Sequence, residues 1–96
     1  MSAYIIANVD IPTPEQYEDY KKLSTLAMQT YGVEVVARGG KVELLEGDGP
    51  LPGRVVILKV PTMEAARKYN DSVEYTRARE ARQGAAVMKM ILVEGV

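Results

Sequence analysis

The chain contains no cysteine, no histidine, no tryptophan and no phenylalanine. Without cysteine there is no disulfide, no thiolate nucleophile and no cysteine-ligated metal. Without histidine the commonest general base and the commonest transition-metal ligand are both missing. Serine–histidine–aspartate catalysis is excluded, and a haem would lack its usual proximal ligand. An all-oxygen metal shell has no supporting spacing of Asp, Glu and Asn, and Asp48 in its Gly-Pro loop does not make a calcium loop. No cofactor and no metal are therefore expected. No run approaches the ~18 apolar residues of a membrane span, and the N-terminus has neither a charged n-region nor an apolar h-region. A soluble, cytoplasmic protein is the expectation. Charge of one sign is lacking too: 12 basic and 13 acidic residues leave a net charge of −1. Such a balance provides no global field to attract nucleic acid or an anionic membrane. Arg67, Lys68, Arg77, Arg79 and Arg82 fall close together, but Glu64, Asp71, Glu74 and Glu80 are interleaved with them. That alternation reads as a solvated helix face, so neither nucleic acid nor membrane is an expected partner.

What is present is a chain of 96 residues, 47% hydrophobic, read as a single domain over residues 1–96. A domain of this size buries only roughly 60–70% of its unfolded surface, so a second subunit would be a natural source of further burial. Ala3 to Asp10 alternates, with Ala3, Ile5, Ala7 and Val9 on one face and Tyr4, Ile6, Asn8 and Asp10 on the other, the period of a strand. After the Ile11-Pro12 break, Thr13-Pro14-Glu15-Gln16 has the form of a helix start with a capping box. Tyr17, Tyr20, Leu23, Leu26 (or Ala27) and Thr30-Tyr31 recur at helical spacing, and Gly32 is the expected stop. Val33 to Arg38 alternates again. Lys41 to Glu46 continues the pattern after Gly39-Gly40, which suggests one long kinked strand. Residues 47–53 form a loop by every turn signal. Arg54 to Val60 is an apolar, β-branched strand expected at the sheet centre. A short helix starts near Met63 behind a Thr62 cap, Asn70-Asp71-Ser72 interrupts it, and a further helix runs to about Gln83. Ala86 to Glu94 is the last strand.

The order is βαββαβ, a ferredoxin-like α+β sandwich with an antiparallel sheet and helices on one face. The other sheet face is expected to hold Tyr4, Ile6, Asn8, Arg38 and Lys89. It is too apolar for free solvent and too polar for a dry core. A two-fold homodimer, sheet against sheet with a cavity between, fits that mixture.

Several segments together resemble a known family: Ala3-Tyr4-Ile5-Ile6, the Pro14–Tyr20 helix start, Arg38-Gly39-Gly40, Leu45-Glu46-Gly47, Arg54–Leu58 and Asp71-Ser72-Val73-Glu74-Tyr75. The chain is similar over its whole length to the domain of unknown function 1330 family, within the dimeric α/β-barrel superfamily. The resemblance implies a homodimer whose two sheets close into a barrel. It implies no particular reaction, since the superfamily includes cofactor-independent monooxygenases, haem proteins, isomerases and plain binding modules. The chain departs from the family pattern at Lys59, Val73, Asn70 and the single glycine of Tyr31-Gly32.

Arg38, beside two glycines, is the leading pocket candidate, because a guanidinium can grip a carboxylate through two parallel hydrogen bonds. The alternative is an ion pair with Glu43 or Glu46. Glu46 could orient Arg38, or serve as a general base if desolvated. Ser72 and Tyr75 stand at the start of the last helix, where N–H groups favour an anion; capping of that helix by Asp71 or Ser72 is the reading weighed against it. Tyr75 could donate to a ligand oxygen or fill the core. Tyr4, Asn8 and Lys89 could line a cavity or pack a dimer interface. Arg38, Glu46 and Tyr75 are thus the candidate catalytic residues, with Tyr4, Asn8, Arg38, Ser72 and Lys89 as ligand-binding candidates. The expected function is binding of a small carboxylated or oxygenated organic compound by a homodimer. A cofactor-independent proton transfer, isomerisation or oxygenation could accompany it. The alternative is a non-catalytic assembly module whose sheet face serves only dimerisation.

Overall fold

Small and β-branched residues at alternate positions build the centre of the sheet. In the computed structural model, which describes residues 2–10, 14–51, 53–84 and 87–96, β1 (Ala3–Asp10) buries Ala3, Ile5, Ala7 and Val9 while Asn8 and Asp10 face solvent. It lies between β3 (Arg54–Val60) and β4 (Val87–Glu94), antiparallel to both. An edge strand, β2 (Glu34–Arg38), pairs with β3 and completes the order β2-β3-β1-β4. Val56, Leu58 and Val60 of β3 share the covered face with the buried side of β1, and Met88, Met90 and Leu92 of β4 pack against the same core.

The helical layer is α1 (Pro14–Tyr31), α2 (Met63–Asp71) and α3 (Val73–Ala81). Each boundary follows from local chemistry. Gly32, at φ +67°, adopts the left-handed conformation that ends α1. Thr62 caps α2, its hydroxyl accepting from the Ala65 amide at 3.0 Å. Ser72, not Asp71, caps α3: its hydroxyl accepts from the Tyr75 amide at 3.1 Å and donates to the Tyr69 carbonyl at 2.7 Å. Asp71 belongs to the last turn of α2. Thr13, the expected cap of α1, lies outside the described residues with the Ile11-Pro12 break, as does Ala86, the expected first residue of the last strand.

Two expectations for the second strand are corrected. First, β2 stops at Arg38, and residues 41–46 are not strand. The reason lies in the partner: the Gly39 amide still donates to the Val55 carbonyl at 2.9 Å, but β3 begins only at Arg54, so the chain beyond Gly40 has no neighbour to pair with. Second, Arg38 does not share a face with Tyr4 and Asn8. Val35 pairs with Leu58 and Ala37 with Ile57, so Val36 is an extra residue in a bulge. One inserted residue reverses which side the following side chains take. Arg38 therefore pairs with Val56 and points to the helix-covered face.

The molecule measures 36 × 36 × 16 Å. Packed layers lie about 10 Å apart, so the short dimension holds one sheet and one layer of helices. The second sheet face is uncovered. Across it Ala37, Ile57, Ile6 and Ile91 form one row through all four strands. Lys59, Tyr4 and Val93 form a parallel row, and Val55, Asn8 and Lys89 another.

Candidate functional site

Helical spacing on α1 sends Tyr17, Tyr20 and Ser24 toward the sheet, and the α2–α3 break brings Tyr69 and Tyr75 against them. All five are buried. The rings stack at an angle, with centroids 5.1 Å apart for Tyr17 and Tyr20 and 4.9 Å for Tyr69 and Tyr75. Their hydroxyls make the interior polar. The Tyr20 and Tyr75 hydroxyls share a hydrogen bond at 2.8 Å. Arg82, just past α3, donates to the Tyr75 hydroxyl at 3.2 Å, and its guanidinium stands 5.4 Å from the Tyr20 ring centre. The Tyr75 hydroxyl also donates to the Met90 sulfur at 3.4 Å. The Tyr69 hydroxyl differs from these: it is buried and has no hydrogen-bond partner among the described residues.

These groups surround an enclosed cavity of about 20 Å³ under the sheet, whose walls include Ser24, Arg38, Met28, Met88 and Met90 as well as the four tyrosines. That volume suits one water molecule or one oxygen atom of a ligand. Arg38 also lines an open groove of about 590 Å³ between α1 and the β2–β3 edge, together with Lys21, Lys22, Thr25 and Arg54. One side chain is thus the shared wall of groove and cavity.

Burial sets the protonation of the cluster. It pushes the Tyr20 phenol far above its usual range, with Tyr75 adding to the effect. It likewise raises Tyr69, with Arg38 and Arg82 opposing, and raises Tyr17, with Arg54 and Arg38 opposing. At neutral pH these are neutral phenols, suited to hydrogen bonding and not to acting as bases. Among the described residues no carboxylate lines the cavity.

The structure divides the residues singled out in the sequence. Arg38, Tyr75 and Ser72 belong to the helix side. Arg38 Nη1 approaches the Thr25 hydroxyl at 3.4 Å and forms no ion pair with Glu43 or Glu46 among the described residues; Glu43 pairs instead with Lys41 at 3.1 Å. Tyr75 lines the cavity, whereas the Ser72 hydroxyl is engaged by its cap. Tyr4, Asn8 and Lys89 lie on the uncovered face, Asn8 directly opposite Lys89. Glu46 sits exposed in the loop after β2, apart from the cavity lining. Tyr17, Tyr20, Ser24, Tyr69 and Arg54 are not among the site candidates of the sequence, although helical spacing places Tyr17 and Tyr20 on one face of the first helix. One signal for them was present: every aromatic residue is tyrosine, so any aromatic core must carry hydroxyls inward.

An antiparallel sheet in the order β2-β3-β1-β4, with helices on one face, defines a ferredoxin-like α+β fold. The chain belongs to the family described as Domain of unknown function (DUF1330), whose model matches residues 2–96. No curated protein matches it in sequence. Its fold is similar to that of a protein of unknown function from Rhodopseudomonas palustris, with TM-score 0.78, 21% identity, and 99% of this chain and 82% of the other covered. It is also similar to SnoaB, a cofactor-independent oxygenase from Streptomyces nogalater, with TM-score 0.70, 10% identity, and 99% and 93% covered. A third likeness is to a dimeric protein of unknown function with a ferredoxin-like fold from Bacteroides fragilis, with TM-score 0.62, 12% identity, and 98% and 96% covered. No helix among the described residues is long and apolar enough to cross a membrane.

Proposed function

We propose that this chain is a small-molecule-binding homodimer that binds an oxygenated organic compound at the helix side of each protomer, with one ligand oxygen in the small cavity. The observation that carries the reading is the buried Tyr69 hydroxyl, which has no partner among the described residues. Leaving such a group unsatisfied costs about 1–3 kcal/mol, a cost that phenylalanine at this position would avoid. A ligand oxygen accepting from Tyr69, with the Tyr20–Tyr75–Arg82 network beside it, would recover that cost. Neutral hydroxyl donors aimed at a carbonyl oxygen also stabilise negative charge that develops there. Any chemistry by this cavity would therefore consist of polarising a carbonyl or enol, with Tyr69 as the donor and the Tyr20–Tyr75–Arg82 network beside it. Among the described residues its walls supply no carboxylate to act as a base. The fold shared with a cofactor-independent oxygenase is compatible with such a role. The dimer is supported by the uncovered isoleucine row and by the dimeric protein of the same fold.

The test is a thermal-shift screen of phenols, quinones and ketones on the wild type and on Tyr69→Phe. A ligand present at a hundred times its Kd is expected to stabilise the wild type by about 2.7 kcal/mol. Tyr69→Phe is expected to be as stable as the wild type, or more stable, when unliganded, and to lose that gain. A Tyr69→Phe protein that is destabilised yet binds the same compounds equally well would remove the reading.

A further inference from the structure

Two arginines meet on the helix-covered face without an acidic partner. Arg38 pairs across the strands with Val56, and Arg54 lies two residues before Val56 on the same side of β3, so they are diagonal neighbours. Like charges placed this way repel. Among the described residues neither has a carboxylate within ion-pair distance: the ion pairs are Lys21–Glu18, Lys41–Glu43 and Lys68–Glu64. The Arg54 Nε is buried and unpartnered. Its guanidinium lies 5.8 Å from the Tyr17 ring centre, so it packs against that ring.

Gly39 accommodates that position. Gly39 has φ +68°, and a Cβ there would stand 2.6 Å from Arg54 Cζ. Glycine suits that left-handed backbone, and its missing Cβ leaves the space that the Arg54 guanidinium occupies. Both arginines line the groove, together with Lys21 and Lys22 and a single carboxylate, Glu18, which is already paired with Lys21. The chain as a whole has a net charge of −1, so this groove locally reverses the protein's sign.

We infer that Arg38 and Arg54 together form an anion clamp in the groove beside the cavity, and that the ligand is an organic acid whose carboxylate lies in the groove while its neutral oxygenated end reaches Tyr69. This rests on the cavity reading above and adds to it the charge of the ligand and the role of Arg54. A planar fork matches a carboxylate through two N–H donors, and two forks fix its position and direction. The enclosed cavity holds only one oxygen, so the body of the ligand and its acid must occupy the groove.

The experiment follows the Nε–Hε resonances of Arg38 and Arg54 and the ring resonances of Tyr69 by NMR in the intact protein. 4-Hydroxybenzoate and its neutral amide, 4-hydroxybenzamide, are titrated separately at constant ionic strength. The carboxylate is expected to shift both arginines in a saturable manner, and the amide to leave them unmoved. Arg54→Gln is expected to weaken binding of the carboxylate about tenfold, the loss of one charge-assisted contact, and Arg54→Lys to recover only part of it. Arginine resonances that respond to both probes alike, or to neither, would overturn the inference. A response at Tyr69 with none at Arg54 would overturn it while leaving the cavity reading intact. A response at both arginines with none at Tyr69 would support the clamp and remove the cavity reading.

Discussion

Between about pH 10 and pH 12 the protein is expected to lose its fold, with tyrosinate absorbance rising together with the loss of helical circular dichroism. The cause is the buried cluster. In the unfolded chain a tyrosine ionises near its ordinary value of 10.0, whereas burial holds Tyr20 and Tyr69 protonated well above it. Above pH 10 the unfolded state therefore binds fewer protons than the folded one, and stability falls as pH rises. Their contribution is fully present below pH 10 and is lost progressively above it. Each such group removes about 1.4 kcal/mol per pH unit in that window. Two of them remove about 5 kcal/mol over two units, comparable to the total stability of a small domain. Tyr20→Phe should flatten the alkaline limb and leave one fewer coupled proton. Complete tyrosine ionisation while the helical signal persisted would show that the cluster is open to solvent, contrary to the burial described above.

The second large effect concerns the uncovered sheet. Ile57→Glu is expected to convert the proposed dimer to a monomer, weakening self-association at least about a hundredfold, or about 2.7 kcal/mol. Ile57 lies in the row that joins Ala37, Ile6 and Ile91 across the sheet. Ile91 is 48% exposed and Val93 42% exposed in the single chain, an apolar surface of the kind that marks an interaction face. A carboxylate in the centre of a sheet-to-sheet contact would be buried without a partner, which costs several kcal/mol. The fold of the monomer should survive, because in the single chain this side chain faces away from the helix-covered core. Analytical ultracentrifugation across a concentration series reads the result directly. A wild type that stays monomeric at high concentration, or a variant that dimerises as tightly as the wild type, would contradict the assembly.

Much of this fold was legible because its signals are local. The β1 alternation, the Gly32 stop, the Thr62 cap and the broken second helix each depend on residues within one turn or one strand. The site was less legible, for two physical reasons. The bulge at Val36 adds one residue to β2, and a period-two pattern has no means of announcing it, so Arg38 was assigned to the wrong face. The tyrosine cluster arises from the meeting of α1 with the α2–α3 break, a tertiary contact that spacing along one helix does not contain. The extension of β2 through residues 41–46 was overread for a related reason: strand propensity without a neighbouring strand does not make a strand. Beside the Arg38-Gly39-Gly40 turn lies Arg54, fourteen residues beyond Gly40, whose guanidinium occupies the space that the missing Cβ of Gly39 leaves, a contact that the local sequence does not contain.

The most direct test is the crystal structure of the protein with a compound that stabilises the wild type but not Tyr69→Phe. The expected result is a ligand oxygen about 2.7–3.2 Å from the Tyr69 hydroxyl, with the rest of the molecule leading out past Arg38 into the α1–β2 groove. A ligand held instead between two sheets, against Asn8 and Lys89, with the Tyr69 hydroxyl untouched, would contradict the helix-side site.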